Sequence, residues 1–245
     1  MSVTREDFLD AIAAYWGTKS TQMEQSAIAA AVGAGTSGAV RGGAHFDPIA
    51  VLIAKFFLDA GYEPGQIRVK RSQGLELPGY YRPQKQWDVV ITDGQTLVAA
   101  FELKSLGGPS FGNNYNNRVE EALGSAVDLR RAVLADLYPG EKPWLGYFFI
   151  MQDGDGSRSP VRMRPGALPP SGEWAGKSYQ ERFAMFCERL VAENHYDAVC
   201  YITSAAGSAP GEPVRGLDWQ HFAAAINARI SYLKDLGIPS ASPQG

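Results

Sequence analysis

Two carboxylates and a lysine occur close together in one part of the sequence, and this combination suits phosphodiester hydrolysis. Asp88 lies upstream of the run Glu102-Leu103-Lys104. Carboxylate oxygens are hard ligands for Mg²⁺, which keeps several waters and needs few protein ligands. The ion polarises a phosphoryl oxygen and lowers the pKa of a bound water, and a neighbouring lysine orients or deprotonates that water. We therefore predict that Asp88, Glu102 and Lys104 are catalytic, and that Asp88, Glu102 and the Leu103 carbonyl bind Mg²⁺.

Two β-rich runs, Gln86 to Thr92 and Thr96 to Ser105, must position these residues. They flank Asp93-Gly94, a strong hairpin signal. Alternation along the strands places Glu102 and Lys104 together on one face and turns Asp88 away from the apolar face of its own strand. The apolar faces are predicted to consist of Trp87, Val89 and Ile91 in the first strand and Leu97, Ala99, Phe101 and Leu103 in the second.

The register of this hairpin decides whether the polar residues meet. A two-residue Asp93-Gly94 loop would pair Asp88 with Ala99 and place Asp88 on the wrong face. A three-residue loop would pair Asp88 with Ala100, diagonal to Glu102 at roughly 7–8 Å. We therefore predict an odd-length loop or a bulge. The alternative is a surface strand that carries a solvated cross-strand charge pair.

The charge distribution argues against a protein that coats nucleic acid without specificity. The net charge is −3 over 245 residues. The stretch from Gln66 to Trp87 differs, because five basic residues and one acid give it a charge of +4. These residues are Arg68, Lys70, Arg71, Arg82 and Lys85, with Glu76 as the acid. The cluster fits either a local DNA contact or a solvated face.

The order of predicted elements indicates a mixed α/β domain with helices flanking one sheet. An N-terminal helical and flexible region covers residues 1–43, a core covers 44–204, and a loop with a C-terminal helix covers 205–245. We expect one domain. The predicted helices include one that begins at Asp47-Pro48 and ends at Gly61, and one over Asn117 to Leu137. Apolar runs at Trp144 to Met151 and Asp197 to Thr203 predict buried strands, whereas Pro78-Gly79 and Pro83 predict breaks in the chain.

Two further features bear on the cellular compartment. Cys187 and Cys200 fall in a predicted helix and a predicted strand, which favours buried free thiols in a reducing compartment. No apolar run is long enough to span a bilayer, and no secretory signal is visible. The cytoplasm is the expected location.

Several longer motifs resemble the XhoI family of type II restriction endonucleases. They are Leu75-Glu-Leu-Pro-Gly-Tyr-Tyr-Arg-Pro-Gln-Lys-Gln-Trp-Asp88, Phe101-Glu-Leu-Lys-Ser105 and Gly108-Pro-Ser-Phe-Gly-Asn-Asn-Tyr-Asn-Asn-Arg-Val-Glu-Glu-Ala122. The resemblance implies a PD-(D/E)xK nuclease core, a homodimer that cuts both strands of double-stranded DNA within CTCGAG, 5′ overhangs, and a companion methyltransferase acting on the same site. In this sequence Trp87 stands where the superfamily pattern has proline.

Candidate DNA contacts follow from side-chain chemistry, because arginine suits guanine and asparagine suits adenine. Asn113, Asn114, Asn116 and Arg118 lie between the catalytic strand and the next predicted helix. A capped turn is the alternative for this segment. We expect Arg71, Arg82 and Lys85 to contact the phosphate backbone. Arg158 and Arg162 lie on a long loop that either closes over a groove or is solvated.

Other interpretations and signals carry less weight. A repair or mobile-element nuclease, or a catalytically silent DNA-binding module, would share parts of the pattern. Gly33-Ala-Gly35-Thr-Ser-Gly38 matches a dinucleotide-binding string but follows no strand. The histidines have no metal-ligand spacing. Glu120 and Glu121 either assist the metal site or are ordinary acids near a helix N-terminus.

Overall fold

A computed structural model describes residues 3–31, 43–69, 74–108, 110–164 and 166–239, with the backbone alone over 22–31 and 43–44. The helices are α1 (Arg5–Ala31), α2 (Asp47–Asp59), α3 (Phe111–Leu134), α4 (Asp155–Arg158), α5 (Tyr179–Ala192) and α6 (Trp219–Asp235). The strands are β1 (Ile67–Val69), β2 (Glu76–Pro78), β3 (Gln84–Gln86), β4 (Val89–Asp93), β5 (Thr96–Leu106), β6 (Trp144–Gln152) and β7 (Ala198–Ser204). Short 3-10 turns lie at Gly43–Phe46, Pro64–Gln66 and Gly172–Trp174.

The main sheet has the order β1-β4-β5-β6-β7 and confirms the predicted mixed α/β class. The pairs β1–β4 and β4–β5 are antiparallel, whereas β5–β6 and β6–β7 are parallel. Strand β6 is buried on both faces, as its apolar run predicts. Gly146 in β6 leaves room for Phe101 in β5, because a Cβ atom at Gly146 would lie 2.4 Å from Phe101 Cδ1.

Helices cover both faces of this sheet. On one face α1, α2 and α6 bury a core that includes Phe8, Phe57, Phe101, Phe148 and Phe222. On the other face α3 and α5 bury a second core that includes Trp87, Ala126, Tyr147, Phe149 and Phe183. The result is a three-layer arrangement in which the central strands are apolar on both sides, except where β5 approaches its end.

The segment between β1 and β4 contains a small hairpin that the sequence did not predict. Strands β2 and β3 pair antiparallel, with Leu77 opposite Lys85. The breaks predicted at Pro78-Gly79 and Pro83 are confirmed, because Pro78 ends β2 and Pro83 lies in the turn that connects β2 to β3. The buried side chains of Leu75 and Leu77 attach the hairpin to the core under α3.

The helix boundaries agree with the sequence at α2 and differ at α3. Helix α2 begins at Asp47 and is followed by Gly61, whose φ of 98° favours glycine. Helix α3 begins at Phe111, so the start predicted at Asn117 was wrong. The first turns of α3 are rich in glycine and asparagine, whose low helix propensity hides the start of the helix in the sequence. These turns are stabilised by stacking of Phe111 on Tyr179, with ring centroids 5.6 Å apart.

The remaining structural predictions have clear outcomes. Cys187 in α5 and Cys200 in β7 are buried free thiols, as predicted. Within the described ranges, no helix is long and apolar enough to cross a membrane. The glycine string from Gly33 to Gly38 lies outside the described residues.

Candidate active site

A bulge in β5 brings Asp88 to the same side of the sheet as Glu102. The β4–β5 loop has two residues, Gly94 and Gln95, so the three-residue alternative was wrong. The predicted bulge is present, because the register shifts after Ile91 and the extra residue is Val98. The ladder then pairs Val89 with Phe101 and ends there.

Two predicted side-chain directions and the predicted strand partner of Asp88 were wrong. Leu97 and Trp87 lie in the core under α3 and α5, not on the face that holds Val89 and Phe101. Leu97 precedes the bulge, which reverses the alternation, and Trp87 precedes the ladder. Asp88 is not paired with Ala100, which is the partner of Val90. Its N–H instead donates to the Phe101 carbonyl at 3.1 Å.

Asp88, Glu102 and Lys104 form one charged cluster. Lys104 Nζ lies 3.5 Å from Asp88 Oδ2 and contacts Glu102 Oε1. Asp88 Oδ2 also accepts a hydrogen bond of 2.7 Å from the Leu103 N–H. Glu102 is 3% exposed, so its charge depends on these partners. The structure thus brings the three predicted catalytic residues together.

A second lysine enters this cluster from the β2–β3 hairpin. Lys85 Nζ lies 2.5 Å from Glu102 Oε2 and donates to the Gln86 carbonyl at 2.7 Å. It also lies 4.5 Å from the centroid of the Trp87 ring. Each carboxylate oxygen of Glu102 therefore contacts its own ammonium group, one from Lys104 and one from Lys85.

These surroundings shift the pKa values of the two carboxyl groups in opposite directions and raise the pKa of Lys104. Burial and the charge of Glu102 raise the pKa of Asp88. Burial acts to raise the pKa of Glu102 too, but Lys104 and Lys85 outweigh it and hold that pKa below its usual value. Burial acts to lower the pKa of Lys104, but Glu102 and Asp88 outweigh it and raise that pKa. Lys104 therefore stays protonated at neutral pH and suits hydrogen-bond donation and charge stabilisation.

The oxygen atoms at the cluster fit a hard divalent cation. Leu103 borders the cleft although its side chain packs in the core on the other face, so its main-chain atoms face the cleft. The N–H and C=O of one strand residue point to the same side, and the Leu103 N–H points to Asp88. Two carboxylates and one carbonyl suit Mg²⁺, which keeps several waters. Among the described residues, no group of three His, Cys, Asp or Glu side chains lies close enough together to hold a metal ion.

The cluster lies at the bottom of a cleft of about 500 Å³. Four cations and four acids line it, so their formal charges cancel. They are Arg82, Lys85, Lys104 and Arg118, with Asp88, Glu102, Glu120 and Glu121. His45 also borders the cleft, and burial together with the charges of Lys19 and Arg118 lowers the pKa of His45 to about 4.

Arg118 and the neighbouring acids lie within α3 and not before it. Arg118 Nε donates to the Ser105 carbonyl at 3.1 Å, and its guanidinium pairs with Glu121. Because α3 begins at Phe111, Glu120 and Glu121 do not belong to the first turn, and their placement near a helix N-terminus was wrong. Both acids border the cleft.

Asp128 of α3 holds the turn of the β2–β3 hairpin beside the cleft. Its Oδ1 accepts hydrogen bonds of 2.8 Å from the N–H groups of Tyr80 and Tyr81, and its Oδ2 accepts one of 2.7 Å from Arg82 Nε. A Cβ atom at Gly79 would lie 2.5 Å from Asp128 Oδ2, so only glycine allows this approach. Burial acts to raise the pKa of Asp128, but the Tyr81 N–H, Arg82 and the Tyr80 N–H outweigh it and lower that pKa.

A second groove, of about 420 Å³, gathers candidate DNA contacts from distant parts of the chain. Asn113 and Asn116 reach it from α3, and Arg162 reaches it from the loop after α4. All three side chains are exposed. The alternative of a capped turn around the asparagines was wrong, because the first turns of α3 contain them.

The remaining candidate contacts lie elsewhere. Asn114 is half-buried in α3 and lines neither the cleft nor the groove. Arg158 ends α4 and is paired with Asp153, with Nε 2.7 Å from Oδ1. Arg71 lies outside the described residues.

The sequence missed three side chains at the site. Asp128 and His45 carry no spacing signal that distinguishes them. Lys85 was predicted as a phosphate contact, but its direct contact with Glu102 was not. The available signal was the short distance in sequence between Lys85 and Asp88, because residues so close along the chain are also close in space.

Comparisons with known proteins agree on one family. The model of the family described as "Restriction endonuclease XhoI" matches residues 25–212. Type II restriction enzyme XhoI of Xanthomonas vasicola is 37% identical over 184 residues, which cover 74% of this chain and 72% of that protein. Type II restriction enzyme BstVI of Geobacillus stearothermophilus is 36% identical over 176 residues, which cover 69% and 78%. No solved structure matches the chain.

Proposed function

The chain belongs to the XhoI restriction endonuclease family, and from that premise we propose that it hydrolyses double-stranded DNA at the palindrome CTCGAG, leaving 5′ overhangs. One observation carries the chemistry. Asp88, Glu102 and Lys104 converge in a single cleft at the end of β5. The antiparallel β4–β5 hairpin, followed by α3 and parallel β6, supports a PD-(D/E)xK nuclease core, and we treat residues 1–245 as one domain.

Each residue of the cluster has a distinct proposed role. Asp88, Glu102 and the Leu103 carbonyl hold Mg²⁺. When bound, the ion polarises the scissile phosphate and stabilises developing negative charge. Lys104, protonated at neutral pH, orients the attacking water and donates to the phosphate oxygens as their charge grows.

The proposed DNA contacts beside the cleft are Arg82, Lys85 and Arg118, and those at the second groove are Asn113, Asn116 and Arg162. Arg71, Asn114 and Arg158 are proposed as further DNA contacts. A palindromic site presents the same bases twice, which suits a homodimer with two-fold symmetry. A companion methyltransferase that modifies the same site would protect the host DNA, and we place the enzyme in the cytoplasm.

Plasmid digestion tests this proposal. Plasmids with and without one CTCGAG site are incubated with the protein in MgCl₂ or in EDTA, and the cut ends are sequenced. We expect Mg²⁺-dependent linearisation of the site-bearing plasmid alone. Glu102→Gln should slow cleavage by more than about a hundredfold, because it removes a metal-binding charge. Glu188→Gln, at an exposed glutamate of α5, is the matched control and should cut normally.

The possible outcomes separate the parts of the proposal. Cutting at other positions would keep the nuclease and reject the target sequence. Near-normal turnover by Glu102→Gln would reject the assigned site. A folded protein that binds the site but cuts neither plasmid in MgCl₂ would reject the enzymatic activity and favour a DNA-binding module.

A further inference from the structure

The contact between Lys85 and Glu102 places a positive charge where a divalent cation must bind. Lys85 Nζ lies 2.5 Å from Glu102 Oε2, and the Lys85 side chain is only 14% exposed. Glu102 Oε1 contacts Lys104. A cation with two positive charges that binds Glu102 therefore meets two ammonium groups at close range, and like charges repel strongly where solvent is scarce.

The two lysines differ in how easily they can leave Glu102. Lys104 belongs to the central strand β5 and bridges Glu102 to Asp88. Lys85 belongs to the separate β2–β3 hairpin, and its four-carbon stem can swing its ammonium group without moving the sheet. Lys85 is therefore the ammonium group that moves.

The balance of charges in the cleft indicates a role for the Lys85 ammonium group once it has left Glu102. Its four cations are balanced by four acids, so the cleft offers little surplus positive charge to a phosphate. A lysine released from Glu102 supplies that charge. The hairpin keeps the released side chain within the cleft, because Asp128 fixes the turn of the hairpin to α3.

We propose that Lys85 and a divalent cation compete for Glu102, and that DNA resolves the competition by taking the Lys85 ammonium group onto a phosphate. This inference rests on the proposed function. It makes cation binding and DNA binding mutually reinforcing, because each ligand must favour the other by the same factor. The cation would be bound fully only when substrate is present.

The test measures two affinities that should change in opposite directions. Mg²⁺ binding to the DNA-free protein is measured by calorimetry for wild type and Lys85→Met. We expect Mg²⁺ binding to tighten by about tenfold or more in the variant, because the substitution removes a positive charge that contacts the same carboxylate. Binding of a CTCGAG duplex in EDTA should weaken, and its salt dependence should fall by about one phosphate contact.

Two further variants control for folding and for charge. Lys85→Arg keeps the positive charge and should resemble wild type in Mg²⁺ affinity. Lys177→Met removes a lysine that pairs with Glu181 at the surface and should change neither affinity. Circular dichroism and thermal melting show whether each variant is folded. In Lys85→Met, adding Glu102→Gln should abolish the gain in Mg²⁺ affinity.

Each result decides a separate point. Equal or weaker Mg²⁺ binding by a folded Lys85→Met would overturn the competition, while plasmid cleavage by wild type would leave the proposed function intact. Unchanged duplex affinity would overturn the transfer to phosphate. No Mg²⁺ binding by wild type or Lys85→Met would overturn the inference together with the assigned cation site. Unfolding of Lys85→Met would move the comparison to Lys85→Gln, with the same expectations.

Discussion

Removal of the Asp128 carboxylate should destabilise the protein and release the hairpin that carries Lys85. Asp128→Ala deletes the acceptor for the N–H groups of Tyr80 and Tyr81 and for Arg82 Nε. Asp128→Asn is the finer perturbation. Its amide oxygen can still accept from both N–H groups, but its NH₂ group then faces Arg82 Nε, and two donors meet.

The magnitude follows from these three hydrogen bonds. A hydrogen bond to a charged group contributes about 1.5–3 kcal/mol, but the two N–H groups share one oxygen and lie in an exposed turn that water can reach. The Arg82 side chain is 43% exposed, so its pairing contributes about 0.5–1 kcal/mol. We expect losses in the free energy of unfolding of about 2–4 kcal/mol for Asp128→Ala and about 1–2 kcal/mol for Asp128→Asn.

Urea denaturation followed by circular dichroism measures these losses. Asp136→Asn is the matched control, because Asp136 is exposed just beyond the same helix and its φ of 58° suits asparagine. Protease nicking of the turn should also accelerate in Asp128→Ala. A free energy of unfolding within about 0.5 kcal/mol of wild type would show that the three bonds are replaced by water at no cost, and the reasoning would fail.

Two other predictions concern DNA affinity and acid stability. Arg118→Ala should weaken binding to the CTCGAG duplex or relax its sequence preference by about 1–3 kcal/mol if Arg118 contacts a base, and unchanged affinity with unchanged preference would remove it from the interface. Asp218 caps α6, and although burial acts to raise its pKa, hydrogen bonds from the His221 side chain and from the N–H groups of His221 and Gly216 lower it to about 2. Because the pKa of Asp218 is lowered in the folded state, the stabilisation by its carboxylate is present above about pH 4 and is lost as the pH falls toward 2. Asp218→Ala should therefore lower the free energy of unfolding by about 1–2 kcal/mol at pH 7, and this loss should shrink between pH 4 and pH 2. Urea titrations at several pH values check this, and a constant deficit would contradict it.

The sequence could predict much of the fold because its signals there are local. The helix that begins at Asp47-Pro48 and the apolar strand from Trp144 follow from capping and periodicity, which neighbouring residues determine. The start of α3 could not be predicted in this way. Its first turns are rich in glycine and asparagine, and stacking between Phe111 and Tyr179 overrides their low helix propensity.

The residue types of the candidate site and the order of Glu102 and Lys104 along β5 could be identified without any tertiary information. Alternation placed Glu102 and Lys104 on one face, and the need for a bulge followed from the two-residue period of a strand. The position of the bulge and the residue that contacts Glu102 from outside the main sheet follow from the packing of distant segments. Lys85 reaches Glu102 because Asp128, distant in sequence, holds the hairpin against α3. Such contacts depend on packing between elements, and spacing within one element carries no information about them.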